Sequence, residues 1–561
     1  MNENETQLRK EKKYLKKRSN LIEFFSARKE LLFVLVLSVI SSSIQIYFAL
    51  KTWGMITSDE VSQSIEIAHR IVYGYGYICP EFSVINIPHP HFARCRSVIY
   101  PLFFVIPMYV GKILNLNYWS FTIPFFRVMI GINGALITPS SYYFIKKYTK
   151  NKQNYAALTA ILVTFSPFIS LMGFRSVTNI ALIPWIFLIL AAYYKILENF
   201  SNQVKEYVKI IILTIFMSII LYIRLDLILT LALVLVFKFP HKNLKIIASH
   251  AIGLVIGLSL GILADSLYYK IFTISPLNWF LFNFVDDGAV LFGVAPFSYY
   301  FKIIFELKAV IVSIVLTLVF FFILVLRIVW QIIKKKELKL DSTKALSIFL
   351  FASFFIVLTY SFAKHKEFRL IYSGYVYFHF SIAIAVAILI EEFIPELSKS
   401  TVLVIKKLQT KKERNFRALN LFYTGLIFSL IFSGALIATI KGTEIVNWKE
   451  GDEITRGLVY VGQQNDSIGV MVVLRYFIGE MYSYLHKDIP IKDFKDIENY
   501  EIIDSLIRHI EEEYEMYNYV ILPFYQIQET PILVTILYAS NFTLVHTIDN
   551  SANIYRYNGT L

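Results

Sequence analysis

A chain of 561 residues that is 56% hydrophobic, with a mean hydropathy of +0.56, exceeds the roughly 45–50% apolar content of soluble globules and reads as a polytopic membrane protein. Its net charge of +14 does not signal nucleic acid, because the lysines and arginines gather in short loops between apolar segments, where the positive-inside rule places them. The 48 Phe and 37 Tyr fit lipid-packed helices and interfacial belts better than a base-stacking platform.

Residues 1–30 are basic, and no small-residue cleavage site follows the first apolar run, so they read as an uncleaved cytoplasmic N-terminus. The first span covers residues 31–50, long enough at about 1.5 Å per residue to cross roughly 30 Å of hydrocarbon. It opens into an outer loop, residues 51–118. There the run Ser58 to Gly76 carries an adjacent acidic pair, Asp59 and Glu60. Val61, Ile65, Ala68, Ile71 and Val72 recur at helical spacing, with Glu66, His69 and Arg70 off that stripe, which predicts a short amphipathic helix on the bilayer surface. Ser58 would cap it. The carboxylates at its positive end serve a cap and dipole as readily as they serve catalysis.

The two cysteines, Cys79 and Cys95, fall in this same loop and could pair if it faces an oxidising exterior. Residues 97–114 are apolar but interrupted by Pro101 and Pro107. They are read as re-entrant or interfacial, since a full crossing would put Asp59 on the opposite face from the later motifs. The other solution is that this run crosses and a different one does not.

Further apolar runs at about 121–145, 155–172, 178–197, 208–222, 225–238, 245–272, 308–332, 345–363, 370–392 and 418–440 bring the expected total to eleven spans. The basic loops at 146–153, 238–245, 334–339 and 406–417 should be cytoplasmic. The motif-bearing turns then all emerge outside with the acidic loop. Residues 443–561 are more polar and predict an exterior α/β domain, with strands at 469–474, 518–524 and 541–548 and helices around Arg475–Leu485 and Glu501–Tyr517. The sequons at Asn465, Asn541 and Asn558 permit glycosylation on that face.

The block Lys364-His365-Lys366-Glu367-Phe368-Arg369 is pressed between two spans, where each charge is expensive. Lys366 as a point charge and Arg369 as a fork could hold a phosphate, or the run could be an ordinary snorkelling flank. Arg224-Leu225-Asp226 suits a salt bridge at a tight turn as well as a substrate contact. Asp265, inside an apolar run, reads chiefly as a structural partner for a basic residue in the same cavity. The loop from Pro276 to Phe301 could cover a polyol or lie as an aromatic belt. No zinc spacing, phosphate-binding glycine loop or nucleophile elbow stands out, so no metal ligands are assigned.

Taken in order, these stretches resemble the GT-C superfamily of polyprenyl-phosphate-sugar-dependent glycosyltransferases and, within it, the GT22 family. The likeness rests on Asp59-Glu60 with Gln63 to Arg70 and Tyr73-Gly74-Tyr75-Gly76, then Arg96-Ser97 with Pro101, Thr178-Asn179, Arg224, and Asp265-Ser266. It continues through Pro276-Leu277-Asn278, Phe292-Gly293, Tyr299-Tyr300 and His365 to Arg369. Thr57 stands where that family has His-Pro ahead of its acidic pair, Asp226 where a Pro is common, and residues 294–298 lack its His and Trp.

The resemblance implies an α-helical polytopic GT-C fold over residues 31–442 and an inverting transfer of a hexose, mannose by family habit. The donor would be a polyprenyl- or dolichyl-phosphate sugar and the acceptor a glycan or glycolipid. It implies Asp59 as general base, Glu60 orienting the acceptor or holding a divalent cation that the resemblance does not itself require, and His365, Lys366 and Arg369 on the donor phosphate. His69, Arg70, Arg96, Asn179, Arg224, Asp265, Asn278 and Tyr299 would support the substrates. The rival readings are a transporter or lipid-sugar flippase, and a GT-C enzyme with another lipid-linked donor. The expected location is a prokaryotic plasma membrane with the site outside, or the endoplasmic reticulum with a lumenal site in a eukaryote.

Overall fold

The computed structural model describes residues 28–83, 91–236, 243–306, 340–388, 390, 451–474, 481–495, 500–512, 515–549 and 551–558. Seven described helices are long and apolar enough to cross a membrane, or eight if a bent pair counts as one span. The chain is therefore an integral multi-pass membrane protein. The helices are α1 (Arg28–Lys51), α4 (Tyr118–Tyr148), α7 (Thr178–Glu198), α8 (Val204–Ile223), α10 (Leu244–Tyr269), α11 (Leu340–Phe362) and α12 (Tyr372–Ile388), the last entered through a tight turn at Phe368–Ile371. The bent pair is α5 (Gln153–Phe165) and α6 (Pro167–Gly173), which meet at 67° because Pro167 has no amide to continue the ladder. Of the expected spans, 225–238 is seen as the nine-residue helix α9 (Ile228–Val236), while 308–332 and 418–440 lie outside the described residues, as do two of the basic loops.

Between α1 and α4 lie two shorter helices, α2 (Glu66–Tyr73) and α3 (Ile99–Ile113). At 15 residues and about 1.5 Å per residue, α3 is too short for a full bilayer, as a re-entrant or interfacial segment requires. The expectation for α2 is overturned. Its apolar stripe is present, but Glu66, Ile67, Ala68 and His69 are all buried, so it does not lie on a bilayer surface. The polar face is covered by the C-terminal unit.

That unit is a five-stranded mixed sheet in the order β2-β1-β3-β5-β4, formed by β1 (Val470–Leu474), β2 (Ile491–Lys495), β3 (Tyr519–Pro523), β4 (Phe542–Ile548) and β5 (Ala552–Tyr557). β1 pairs in parallel with β2 and β3, and β5 runs antiparallel to β3 and β4. One face packs with helix α13 (Asp452–Gln463) on α2, α3 and α4 through Ile454, Leu458, Val470, Tyr519 and Ile521. The other buries Leu506 and Ile510 of helix α14 (Tyr500–Glu512).

Polar contacts fix the docking. Asp452 Oδ1 accepts from the amides of Trp53 (2.9 Å) and Gly54 (3.1 Å), and the Ser483 amide donates to Glu66 at 3.0 Å. The ring nitrogens His69 Nε2 and His486 Nδ1 meet at 3.0 Å, with Tyr118 stacked on His486 at 3.6 Å. Behind the site, α8 and α10 approach closely along Gly253, Gly257 and Gly261. A Cβ on Gly257 would stand 2.6 Å from Ser218 Cβ, so only glycine lets these backbones meet.

Candidate active site

The acidic pair splits into two roles. Glu60 turns inward, where its Oε1 accepts from the Ile56 amide at 2.6 Å and its Oε2 lies 3.6 Å from Arg175. Ser176 Oγ ties down the Glu60 carbonyl at 2.7 Å. Burial raises the Glu60 pKa, and Arg175 and Arg369 oppose that rise. Asp59 keeps 19% of its side chain exposed and faces the other way, with Oδ2 2.5 Å from Arg369 NH2. Residues 310 positions apart thus meet in one site.

The turn into α12 explains how Arg369 arrives there. Glu367 is extended, the short Phe368–Ile371 turn follows, and the Asn179 side-chain amide donates to the Arg369 carbonyl at 3.0 Å. Arg369 Nε pairs with Glu367 Oε2, whose other oxygen lies 2.9 Å from His365 Nε2. Burial resists ionisation of Glu367, but Arg369 and His365 prevail and hold its carboxyl well below the usual carboxylate range. The same hydrogen bond raises the His365 pKa against its burial.

Two further guanidiniums stand within electrostatic reach of Arg369: Arg96 and Arg224. Arg224 Nε forms an ion pair with Asp226 Oδ1 at 2.9 Å, the tight-turn salt bridge the sequence allows, and Tyr360 donates to the other Asp226 oxygen at 2.9 Å. A small cavity opens between Arg96, Arg224, Tyr222 and Trp279. Among the described residues, Arg224 NH1 and Arg369 NH1 are buried without a hydrogen-bond partner. Such donors are costly to leave unmet, and an anion is the kind of group that could satisfy them.

Other expected site residues lie in supporting positions. Lys366 donates to the carbonyls of Ala295 (2.7 Å) and Ala363, and His365 Nδ1 is 3.1 Å from the Gly293 carbonyl, so both tether the loop above the site. Tyr299 packs on Tyr300, whose hydroxyl donates to the Glu367 carbonyl at 3.1 Å. Asn278 donates to the Arg94 carbonyl at 3.3 Å, and Arg70 to that of Gly76. His69 belongs to the docking contact with His486.

Asp265 is a structural partner, but of hydroxyls and an amide rather than a basic residue: Ser275 Oγ at 2.6 Å, Ser97 Oγ at 2.9 Å and the Val98 amide at 2.9 Å. The Cys79–Cys95 pairing fails. Both thiols are free and buried, and Cys79 donates to Glu81 Oε2 at 2.5 Å. Among the described residues no three His, Cys, Asp or Glu side chains are grouped to hold a metal ion.

Residues 32–447 match the model of the Alg9-like mannosyltransferase family. The chain belongs to that family. Curated relatives of this Alg9-like chain include GPI mannosyltransferase 3 of Candida albicans, 26% identical over 331 residues that make up 58% of each chain. GPI alpha-1,2-mannosyltransferase 3 of Bos taurus is 26% identical over 348 residues, 60% of this chain and 56% of the bovine one. The chain thus spans under two thirds of the length of the curated relatives it matches. Among solved structures, ArnT from Cupriavidus metallidurans bound to undecaprenyl phosphate superimposes with a TM-score of 0.54 over 94% of this chain and 97% of that one. At 10% identity this likeness speaks for the fold alone, and it is the GT-C fold expected from the sequence.

Proposed function

We propose that this Alg9-like protein is an inverting glycosyltransferase that moves mannose from a polyprenyl- or dolichyl-phosphate donor to a hydroxyl of a glycan or glycolipid acceptor. The site would open on the non-cytoplasmic face, which the basic loops at 146–153 and 238–245 support by the positive-inside rule. The observation that carries this reading is the contact of Asp59 with Arg369 beside Arg96 and Arg224, a base and an anion seat in one place.

In the proposed step the acceptor oxygen attacks the anomeric carbon as its proton passes to Asp59 Oδ. The bond from that carbon to the phosphate oxygen breaks, and the lipid phosphate leaves with the bonding pair. A positioned general base is worth about 10² to 10⁴ in rate. The charge growing on the phosphate would be met by Arg369 and the unpaired Arg224 NH1. Donor phosphate competes with Asp59 for Arg369, so its arrival frees the base it needs. Lys366 and His365 act on this scheme by holding the 293–298 loop rather than by touching phosphate. The cationic work falls to guanidiniums, and we propose that transfer proceeds without an obligatory divalent cation.

The test is incubation of membranes carrying the chain with labelled polyprenyl-phosphate mannose and, separately, polyprenyl-phosphate glucose, with and without EDTA. Mannose incorporation that survives EDTA supports the reading. Incorporation from neither donor, or from glucose alone, contradicts it.

A further inference from the structure

The loop after α2 places one more carboxylate beside the site. Glu81 is buried, and each of its oxygens is engaged: Oε1 accepts from Gln63 Nε2 at 2.7 Å and lies 3.4 Å from Arg96 NH2, while Oε2 accepts from Cys79 Sγ at 2.5 Å. Its carbonyl accepts from the Cys95 amide at 3.1 Å, which closes the loop back on itself. Gln63 lies one turn along from Asp59 on the same helical segment, whose Val61 and Ser62 amides hang from the Ser58 carbonyl. Arg96 is fixed from its other end, where Tyr269 donates to its carbonyl at 2.6 Å.

We infer that Glu81 is a positioning residue that braces the helix carrying Asp59 against the Arg96 guanidinium. The inference rests on the transfer reaction proposed above. The brace has two arms on one oxygen, one to the base's helix and one to a cation of the anion seat. Rotation of either would move base and phosphate apart, and displacements of about 1 Å at such a site cost on the order of 10²-fold in rate. The charge matters as well as the shape. A neutral Glu81 cannot hold Arg96 by an ion pair, so the brace slackens when the carboxyl protonates. Burial raises the Glu81 pKa, Arg96 opposes the rise and Asp59 adds to it, so that slackening occurs above the ordinary carboxylate range.

The test uses membranes carrying the full chain, labelled polyprenyl-phosphate mannose, and rates normalised to folded protein by size-exclusion chromatography. Glu81→Gln should keep the fold, lower the turnover rate about tenfold to 100-fold, and move the acidic limb of the pH–rate profile to lower pH, because a carboxylate that burial raises beside the base is gone. Glu81→Asp should retain that limb and recover part of the rate. Unchanged turnover in Glu81→Gln overturns the inference. So does a lower rate with the parental acidic limb, which would make Glu81 a fold element only. If Glu81→Gln is not recovered folded, Gln63→Met cuts one arm and leaves the charge: a reduced rate with the limb in place supports the brace, and parental turnover overturns it. Full activity of Asp59→Asn in the same assay would instead sink the transfer mechanism itself, so the two failures are separable.

Discussion

Replacing Arg369 probes the bridge between base and anion seat. Its NH2 donates to Asp59 at 2.5 Å and its Nε forms an ion pair with Glu367, two contacts from one fork that a single ammonium cannot span. Arg369→Lys therefore keeps the charge and loses at least one charge-assisted hydrogen bond, worth about 1.5–3 kcal/mol and hence roughly tenfold to 150-fold in turnover. Arg369→Gln goes further. It leaves Asp59 and Glu367 without their shared cation, and stranding buried charge costs about 3–5 kcal/mol. With 19% and 26% of these side chains exposed, the lower end is expected. Turnover in proteoliposomes and thermal unfolding in detergent read the two effects separately. If Arg369→Gln retains turnover within threefold and the parental midpoint, the ion-pair reasoning is refuted.

Lys366→Met should reduce turnover by less than Arg369→Lys does, because the ammonium meets carbonyls of Ala295 and Ala363; a larger loss would return Lys366 to the phosphate, as read from kcat of the two variants side by side. The C-terminal docking should depend on pH in two opposed ways, measured by thermal unfolding across pH 4 to 9. Burial holds His69 and His486 down, to about 3 and about 4, so their stabilisation is present above the unfolded imidazole pKa of about 6.5 and is lost as pH falls below it. Burial pushes Glu66 up to about 8, so its contribution is full below the unfolded value of 4.5 and lost as pH rises through about 8. Glu66→Gln should therefore raise the unfolding midpoint at pH 8 relative to the parent and change it little at pH 5. Gly257→Ala should destabilise by about 1–3 kcal/mol, since its Cβ would stand 2.6 Å from Ser218 Cβ and 2.8 Å from the Ile215 carbonyl. Detergent thermal unfolding with an unchanged midpoint would show that α8 and α10 can separate freely.

The spans, the acidic pair and the charged block before α12 were legible because apolar length and charge in an apolar setting are local signals. Their meeting was not local, and it came from the family resemblance and loop parity. Residues whose role depends on a partner far along the chain were misread. Glu66 and His69 look like the wet face of an interfacial helix until Ser483 and His486 cover them. Glu60 shares its sequence signal with Asp59, yet only Arg175 decides that it turns inward. Glu81 was missed because a lone acid in a loop has no spacing to betray it. β2 and β5 were missed because Ile491–Lys495 and Ala552–Tyr557 mix polar residues with apolar ones, as strands near a sheet edge do; their alternation was the available signal.

The most direct measurement is mannose transfer from labelled polyprenyl-phosphate mannose by Asp59→Asn, compared with the parent at equal amounts of folded protein. Asparagine keeps the shape beside Arg369 and cannot take the acceptor's proton, so product should fall by at least about 10². Transfer at the parental rate would contradict the assignment of Asp59 as the base.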